Sequence, residues 1–241
     1  MLTLLHTSPV HLPVFDALRD EDSPGTALRH LVHPDLLDRA RAEGLEAVEA
    51  AVRNVLVAAA AEGAAAILCT CSTIGAVAEE AGAAAGVPVL RVDRPMAAAA
   101  VAAGPRVTVL ATVESTLRPT ADLIAEEAAR AGRAVAVVTR VVPGAWDLFA
   151  AGDLEGCTAA VATAVHDARR ETFPDGGGRA DAIVLAQASM APAAERAAAV
   201  GDASGIPYGI VLSSPRLGLR AAVRAVSGRG AEEERIAPAG P

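Results

Sequence analysis

Short apolar runs alternate with longer helical patterns along most of this chain. The runs are rich in Val, Leu and Ile, and each precedes a stretch whose apolar residues recur at helical spacing. Strands that alternate with helices in this way predict parallel sheets joined by right-handed crossovers. The predicted strands are Leu2–His6, Ala65–Thr70, Pro88–Val92, Arg106–Ala111, Ala134–Val141, Ala182–Ala186 and Pro207–Leu212. The predicted helices are Leu45–Ala61, Ile74–Ala85, Pro95–Ala102, Pro119–Ala131, Leu154–Arg169, Ala191–Val200 and Pro215–Val226.

Two zones lack this regular pattern. The segment from Pro9 to Pro34 is rich in Pro, Asp and Ser and carries several histidines, which predicts a long loop over a site. The C-terminal segment from Ser227 to Pro241 is polar and contains Gly and Pro, so we expect it to be disordered.

Two parts of the chain carry the same sequence pattern. Ala66–Ile74 aligns without gaps on Ala182–Met190, and upstream Thr3–Thr7 resembles Thr108–Thr112. The repeat predicts an α/β fold of two pseudosymmetric lobes, each a parallel sheet flanked by helices. We expect the active site in the cleft between the two lobes.

The repeat also suggests where each lobe begins and ends. Residues 1–98 together with 206–226 would form the first lobe, and residues 99–205 the second. Residues 227–241 would follow as the disordered tail.

Composition and net charge indicate which ligands the chain can bind. Apolar residues make up 52% of the 241 residues but aromatics only 2%, so the core must consist of small aliphatic side chains. The net charge of -8 disfavours a nucleic-acid partner, which needs clustered Lys and Arg. An acidic substrate would have to be held by local donors such as backbone N–H groups at helix starts.

Neither a membrane segment nor a disulfide framework is apparent. No stretch reaches the roughly 18–20 unbroken apolar residues that a membrane helix needs. Three cysteines are an odd number and do not describe a set of disulfides, which favours a reducing cytoplasm. The oligomeric state stays open, although homodimers are common among symmetric enzymes.

Small polar residues recur where the predicted strands end. Ligands of parallel α/β sheets bind outside the carboxyl ends of the strands, so these residues are candidates for carboxylate binding. The alternative is that the hydroxyls merely cap the helices that follow. The candidate binding residues are Thr7, Ser8, Ser72, Thr73, Thr112, Ser115 and Ser189, together with Ala188, which lies beside Ser189 and has no polar side chain of its own.

Cys71 and Gln187 occupy matching positions in the two copies. Cys71 would follow a strand and precede the helix that starts near Ile74, where the helix dipole favours a thiolate able to act as base or nucleophile. A buried structural cysteine is the alternative, and it describes Cys69 better, because Cys69 lies inside the strand. No histidine pair matches a recognised metal motif, so we expect no metal.

The chain resembles the aspartate/glutamate/hydantoin racemase superfamily, which also contains maleate isomerase and arylmalonate decarboxylase. The resemblance covers Leu2 to about Val226, and Cys71-Ser72-Thr73 looks like the family's Cys-Asn-Thr signature. It implies two α/β lobes, no cofactor and a small carboxylate substrate between the lobes. In the family's racemases one cysteine from each lobe flanks the α-carbon, which gives Cys71 and the Gln187 position catalytic roles.

The chain departs from that scheme at Gln187. A primary amide neither gains nor loses a proton near neutral pH, so Gln187 is better interpreted as a hydrogen-bond donor than as the second acid. The prediction is a cofactor-independent racemase or isomerase of an amino acid or diacid, acting through Cys71. Addition of Cys71 to an unsaturated diacid is one alternative route. Single-cysteine decarboxylation of malonate-type acids and a catalytically inactive carboxylate-binding protein are the other two.

Overall fold

The computed structural model describes residues 1–174, 176–199 and 209–236. They form two compact units, one made of Met1–Val92 with the segment from Pro215 onwards, the other of Asp93–Ser214. Each unit contains a four-stranded parallel sheet flanked by helices, which confirms the predicted α/β class. Within the part of the chain that is described, no helix is long and apolar enough to cross a bilayer.

The strands follow one another in the same order in both sheets. The first sheet has the order β2-β1-β3-β4 and the second β6-β5-β7-β8, so the two central strands of each correspond. The strands are β1 Leu2–His6, β2 Leu28–Val32, β3 Ala66–Cys69, β4 Val89–Arg91, β5 Arg106–Ala111, β6 Ala136–Val141, β7 Ala182–Leu185 and β8 Ile210–Ser213.

Helices connect these strands and cover the sheets. Their boundaries are α1 Leu12–Asp22, α2 Pro34–Glu43, α3 Glu49–Ala61, α4 Gly75–Ala85, α5 Arg94–Ala103, α6 Leu117–Arg130, α7 Ala145–Ala150, α8 Leu154–Arg170, α9 Ala191–Ala199 and α10 Ser214–Ile236. Short 3₁₀ turns at Pro9–His11, Glu46–Val48, Glu114–Thr116 and Ala188–Met190 lead into helices.

The central strands form because their apolar residues can be buried on both faces. All five residues of β1, and all four of both β3 and β7, are buried, as expected for parallel strands covered by helices on two sides. In the first unit Leu56, Val52 and Ile67 pack on one face of the sheet. Leu219 and Ala222 of α10 pack on the other face, with Leu2, Leu4 and Phe15. The second unit has its own core around Val161, Val165 and Ile183.

Three sequence-based boundaries differ from the structure. The predicted loop from Pro9 to Pro34 contains α1 and the edge strand β2. The predicted lobe boundary at residue 98 falls inside α5. The sequence pattern assigns the segment 206–226 to the first lobe, but its strand β8 pairs with β7 in the second sheet. Only α10 returns to the first unit.

The predicted C-terminal tail differs as well. Helix α10 continues to Ile236, so residues 227 to 236 are helical rather than disordered, and residues 237–241 lie outside the described part. The last turns of a helix can be polar throughout, because they need not pack on a core. Such a segment has the composition of a disordered tail, and composition alone therefore predicts disorder here.

Candidate functional site

The carboxyl edge of the first sheet carries the predicted thiol segment. Strand β3 ends at Cys69, and α4 begins at Gly75, so Cys71, Ser72 and Thr73 form the connection between them. Cys71 and Thr73 are half-buried, whereas Ser72 is buried. This segment stands at the start of a helix, where backbone N–H groups are available to an anion.

Cys71 differs from the other two cysteines in its exposure. Cys69 and Cys157 are buried, while Cys71 is partly exposed, and all three are free thiols. The Cys69 thiol donates to the Cys71 carbonyl at 3.7 Å, so it supports the segment from inside the core. Burial raises the pKa of the Cys157 thiol, with Asp153 adding to the effect. Cys71 is therefore the one cysteine of the three that combines solvent access with a position at a helix start.

The carboxyl edge of the second sheet carries a carboxamide held in one orientation. Gln187 follows β7, and its Oε1 accepts hydrogen bonds from the Thr112 backbone N–H at 2.6 Å and from the Thr112 hydroxyl at 2.9 Å. A backbone N–H can only donate, so the atom facing it must be the amide oxygen. The Gln187 nitrogen, with two N–H donors, is consequently the end of the side chain left for other partners.

Strand register makes the two edges equivalent. Leu2 lies opposite Ala66 in the first sheet, and Val107 lies opposite Ala182 in the second. Leu2 is therefore equivalent to Val107, and five residues further along each strand Thr7 is equivalent to Thr112, as in the sequence repeat. Thr7 is buried at the end of β1, as Thr112 is at the end of β5.

By the same register Cys71 corresponds to Gln187. The hydrogen bonds at the strand ends repeat as well, with Thr70 N–H donating to Leu5 and Ala186 N–H to Leu110, both at 2.9 Å. Within each unit, a threonine at the end of one central strand accompanies the residue predicted to act in catalysis.

The remaining predicted binding residues differ in exposure. Ser8 and Ser189 are partly exposed, and Ala188 is buried in the 3₁₀ turn that precedes α9. Ser115 lies in the 3₁₀ turn Glu114–Thr116 and is exposed. All of these residues lie in segments that follow β1, β5 or β7, which is the arrangement that the sequence predicted.

Two further buried polar residues, His6 and Arg91, lie at the first edge and are not among the predicted site residues. His6, the last residue of β1, is completely buried, and burial lowers its pKa to about 3, with the charges of His30 and His11 acting in the same direction. Arg91, the last residue of β4, is only 2% exposed.

Arg91 packs closely against the start of α4. A Cβ added at Gly75 would lie 3.2 Å from both Cβ and Nε of Arg91. A cation at the end of an otherwise apolar run was the available sequence signal for this residue. Among the residues that the structure describes, no group of three or more His, Cys, Asp or Glu side chains is arranged to hold a metal ion.

Comparisons with known proteins agree with this architecture. The chain superposes on glutamate racemase isoform RacE1 from Bacillus anthracis with a TM-score of 0.69 and 16% identity, covering 95% of this chain and 82% of that one. Aspartate racemase from Picrophilus torridus gives a TM-score of 0.67 at 14% identity, covering 94% of each chain. A mutant of arylmalonate decarboxylase gives 0.59 at 19% identity, covering 94% and 93%.

At these identities the structural likeness establishes the fold alone. The comparison with curated proteins found no match. The sequence profile described as Asp/Glu/Hydantoin racemase, however, matches residues 14–222, which is most of the chain. The protein therefore belongs to the Asp/Glu/hydantoin racemase family.

Proposed function

We propose that the protein is a cofactor-independent racemase or isomerase of a small carboxylate and that Cys71 is its reacting group. The observation that carries this proposal is the position of Cys71, a partly exposed free thiol between β3 and the start of α4. Thiolates are effective bases and nucleophiles, and helix starts favour them. The family to which the chain belongs is named for the racemisation of Asp, Glu and hydantoins.

In this proposal the thiolate removes a proton from the carbon next to the substrate carboxylate. The negative charge then moves onto the carboxylate oxygens, where hydrogen-bond donors must already be in position. Candidate donors from the first unit are the hydroxyls and N–H groups of Thr7, Ser8, Ser72 and Thr73. From the second unit they are Thr112, Ser115, Ser189 and the backbone of Ala188.

Gln187 is proposed as a donor to the same substrate. Its oxygen is occupied by two donors from Thr112, so its nitrogen carries the hydrogen bonds that a carboxylate would accept. The amide neither accepts nor releases a proton near neutral pH. The proton delivered to the substrate must therefore come from another acid, or from Cys71 itself after the intermediate has flipped and presents its other face.

A second candidate is decarboxylation of a malonate-type acid. The presence of Gln187 in place of a second acid favours decarboxylation. Decarboxylation needs one proton donor, whereas racemisation with a group on each face of the substrate carbon needs two. Loss of carbon dioxide would leave an enediolate that Cys71 protonates. The addition of Cys71 to an unsaturated diacid, followed by bond rotation and elimination, is the third route and involves no exchange with solvent at the substrate carbon.

A substrate panel in heavy water distinguishes these routes. Aspartate, glutamate, maleate and substituted malonates are incubated with the wild type and with Cys71→Ala, and the products are followed by proton NMR. Deuterium at the α-carbon without loss of carbon dioxide indicates a racemase. Release of carbon dioxide indicates a decarboxylase, and cis–trans interconversion without deuterium in the product indicates the addition route. Cys157→Ala, which removes a buried thiol, serves as the matched control.

Two results would count against the proposal. Turnover that survives in Cys71→Ala would show that this thiol is not the reacting group. Thermal stabilisation by a carboxylate without turnover of any substrate would indicate a binding protein that kept the fold.

A further inference from the structure

A largely buried chain of polar side chains supports the residue that precedes Cys71. Nδ1 of His6 lies 2.8 Å from the hydroxyl oxygen of Thr70, which follows directly on β3. Nε2 of His6 lies 2.8 Å from Nδ1 of His30 on β2, and Nε2 of His30 lies 3.4 Å from Oδ1 of Asp16 on α1. The chain thus connects β1, β2 and α1 to the segment that carries the predicted reacting thiol.

The ring of His6 is fixed in its orientation. It is completely buried, and its centroid lies 5.5 Å from that of the Phe15 ring and 5.1 Å from that of the His30 ring. Burial also lowers the pKa of His6 to about 3, so the ring is neutral near pH 7 and has one donor and one acceptor nitrogen. Thr70 and His30 occupy these two nitrogens, so a rotated ring would lose both contacts.

Thr70 is bound to β1 through both its backbone and its side chain. Its N–H donates to the Leu5 carbonyl at 2.9 Å, and its hydroxyl donates to the same carbonyl at 3.2 Å. The hydroxyl oxygen can at the same time accept a hydrogen bond from Nδ1 of His6. Because a planar peptide bond joins Thr70 to Cys71, the fixed Thr70 restricts where the Cys71 backbone can lie.

The fold itself does not require these polar groups. By strand register, His6 and Thr70 correspond to Ala111 and Ala186 in the second sheet. The same pair of central strands, with the same backbone hydrogen bond at its end, thus forms with two alanines. Burying an imidazole and a hydroxyl is costly unless both are hydrogen-bonded, so their presence only in the unit that carries the thiol indicates a role there.

Each unit supports its predicted catalytic residue by a route that suits the chemistry of that residue. In the second unit the side chain of Gln187 is itself held, because Thr112 donates two hydrogen bonds to its Oε1. A thiol that reacts with substrate must keep its sulfur accessible, so comparable support has to act on the backbone beside it. In the first unit His6 gives this support to Thr70, the residue before Cys71.

We infer that His6 is a positioning residue that acts through Thr70 and fixes the direction of the Cys71 thiol. His6 is completely buried, so it acts without touching substrate. The effect of His6 on turnover rests on the proposed function of Cys71, whereas its effect on the thiol does not. Separate measurements therefore test the two effects.

Modification of Cys71 by a disulfide reagent tests the positioning without any substrate. In full-length His6→Ala the partly buried thiol should react about two- to tenfold faster than in the wild type, as expected when a hydrogen bond that holds the closed segment is lost. Thr3→Val is the matched control, because the buried Thr3 hydroxyl on the same strand has no hydrogen-bond partner among the described residues. An unchanged or slower rate in His6→Ala would overturn the inference, as would an equal increase in Thr3→Val.

Steady-state kinetics measure the effect of His6 on catalysis, with the substrate that the heavy-water panel identifies. His6→Ala and Thr70→Val should lower kcat by about tenfold or more while KM stays within about twofold, because a displacement of about 1 Å can slow a reaction by roughly 100-fold. Thr3→Val removes a hydroxyl of the same kind and should keep the wild-type kcat. A variant that is merely less stable loses folded enzyme, and its kcat per folded molecule, with the folded fraction measured by circular dichroism, stays at the wild-type value.

Two further variants separate positioning from packing. The polar atoms of asparagine are bonded to Cγ, as Nδ1 of histidine is, so His6→Asn can still bind Thr70 and should recover most of the kcat that His6→Ala loses. The double variant His6→Ala with Thr70→Ala copies the alanine pair of the second sheet, and its kcat should equal that of His6→Ala because the two residues act as one unit. If His6→Ala does not fold, the double variant replaces it in both measurements. No recovery in His6→Asn, or additive losses in the double variant, would contradict the inference.

The outcomes for His6 and for Cys71 can be told apart. If Cys71→Ala keeps its turnover, the proposed function fails, and the reagent experiment alone decides the role of His6. If Cys71→Ala loses its turnover while His6→Ala keeps the wild-type kcat, the proposed function stands and the inference about His6 fails.

Discussion

At the scale of single residues, the three thiols should differ in reactivity. Cys71 is partly exposed, and Cys69 and Cys157 are buried, so a thiol reagent should modify Cys71 first in the native protein. We expect one thiol per chain to react rapidly with a disulfide reagent. The two buried thiols should react only after denaturation. Mass spectrometry of the peptides identifies the modified residue. Rapid modification of Cys69 or Cys157 at native pH would contradict this description.

The hydrogen bonds between Thr112 and Gln187 give a second prediction. Thr112→Val keeps the shape of the side chain and the backbone N–H donor but removes the hydroxyl that donates to Gln187 Oε1. A neutral hydrogen bond contributes about 0.5–1.5 kcal/mol, so if Gln187 donates to the substrate as proposed, substrate binding should weaken by roughly two- to tenfold. Thr112→Ser restores the hydroxyl and should bind like the wild type. Equal losses in both variants would assign the effect to packing.

The buried His6 gives a third prediction, on stability against pH. Its pKa is lowered to about 3 in the folded protein, whereas an unfolded chain takes up the proton near its ordinary value of 6.5. The unfolded state therefore binds more protons below pH 6.5, and the free energy of unfolding should decline by up to about 1.4 kcal/mol per pH unit as the pH falls. Urea unfolding at pH 7, 6 and 5 should show this slope in the wild type and a shallower one in His6→Gln. Identical slopes would contradict it.

Residue-scale features differed in how far the sequence revealed them. The sequence singles out Cys71 and Gln187 as candidates because the repeat aligns them and because each follows an apolar run. The pairing of His6 with His30 could not be found, because β2 was not recognised and the two residues are 24 positions apart in sequence. The sequence does not distinguish Arg91, because a single charge at a strand end is common at protein surfaces.

At the scale of elements, the long apolar runs were predicted well and the edge elements poorly. Strand β2 reads Leu-Arg-His-Leu-Val and is only half-buried, so it lacks the continuous apolar run of a central strand. Helix α1 was hidden by its Pro, Asp and Glu residues, although a proline near the start of a helix is well tolerated. Tertiary pairing with β1, which sequence patterning does not report, creates this edge of the sheet.

Helix α4 provides a test of how closely helices approach the first sheet. A Cβ at Gly82 would lie 2.9 Å from Cβ of Val89, which is closer than real atoms approach. Gly→Ala in an ordinary helix interior gains up to about 1 kcal/mol, but here overpacking of about 1–3 kcal/mol should outweigh that gain. Chemical denaturation of Gly82→Ala should therefore show a net loss of stability.

Truncating the partner side chain provides the control. In a Val89→Ala background the obstacle is gone, and Gly82→Ala should become neutral or stabilising by up to about 1 kcal/mol. A gain in the wild-type background as large as in the Val89→Ala background would show that the helix and strand are less tightly packed than described.

At the scale of the whole molecule, the internal repeat predicted the architecture. Both sheets have equivalent strand orders, and the register of their central strands reproduces the gapless alignment of Ala66–Ile74 on Ala182–Met190. The division of the chain was predicted less well, because a segment's sequence pattern does not show which sheet it will join. Strand β8 and helix α10 are adjacent in sequence and belong to different units.

The equivalence of Cys71 and Gln187 yields a prediction that uses both halves of the chain. If the two residues act on one substrate, Gln187→Cys supplies a second thiol and should create or raise racemase activity. Gln187→Ser is the matched control, because serine is similar to cysteine in size but its hydroxyl does not readily give up a proton. This variant should not gain racemase activity. Chiral chromatography of aspartate and glutamate incubated with each variant measures the outcome. Equal rates in the two variants would argue against a common substrate.

The role of Cys71 is the central claim, and turnover by Cys71→Ala tests it most directly. With the substrate found in the heavy-water panel, the account predicts that kcat falls by about 10³-fold or more, in line with losses seen when a catalytic nucleophile or base is removed. Cys157→Ala measured alongside should retain wild-type kcat. A Cys71→Ala protein that is folded and turns over its substrate at the wild-type rate would contradict the account.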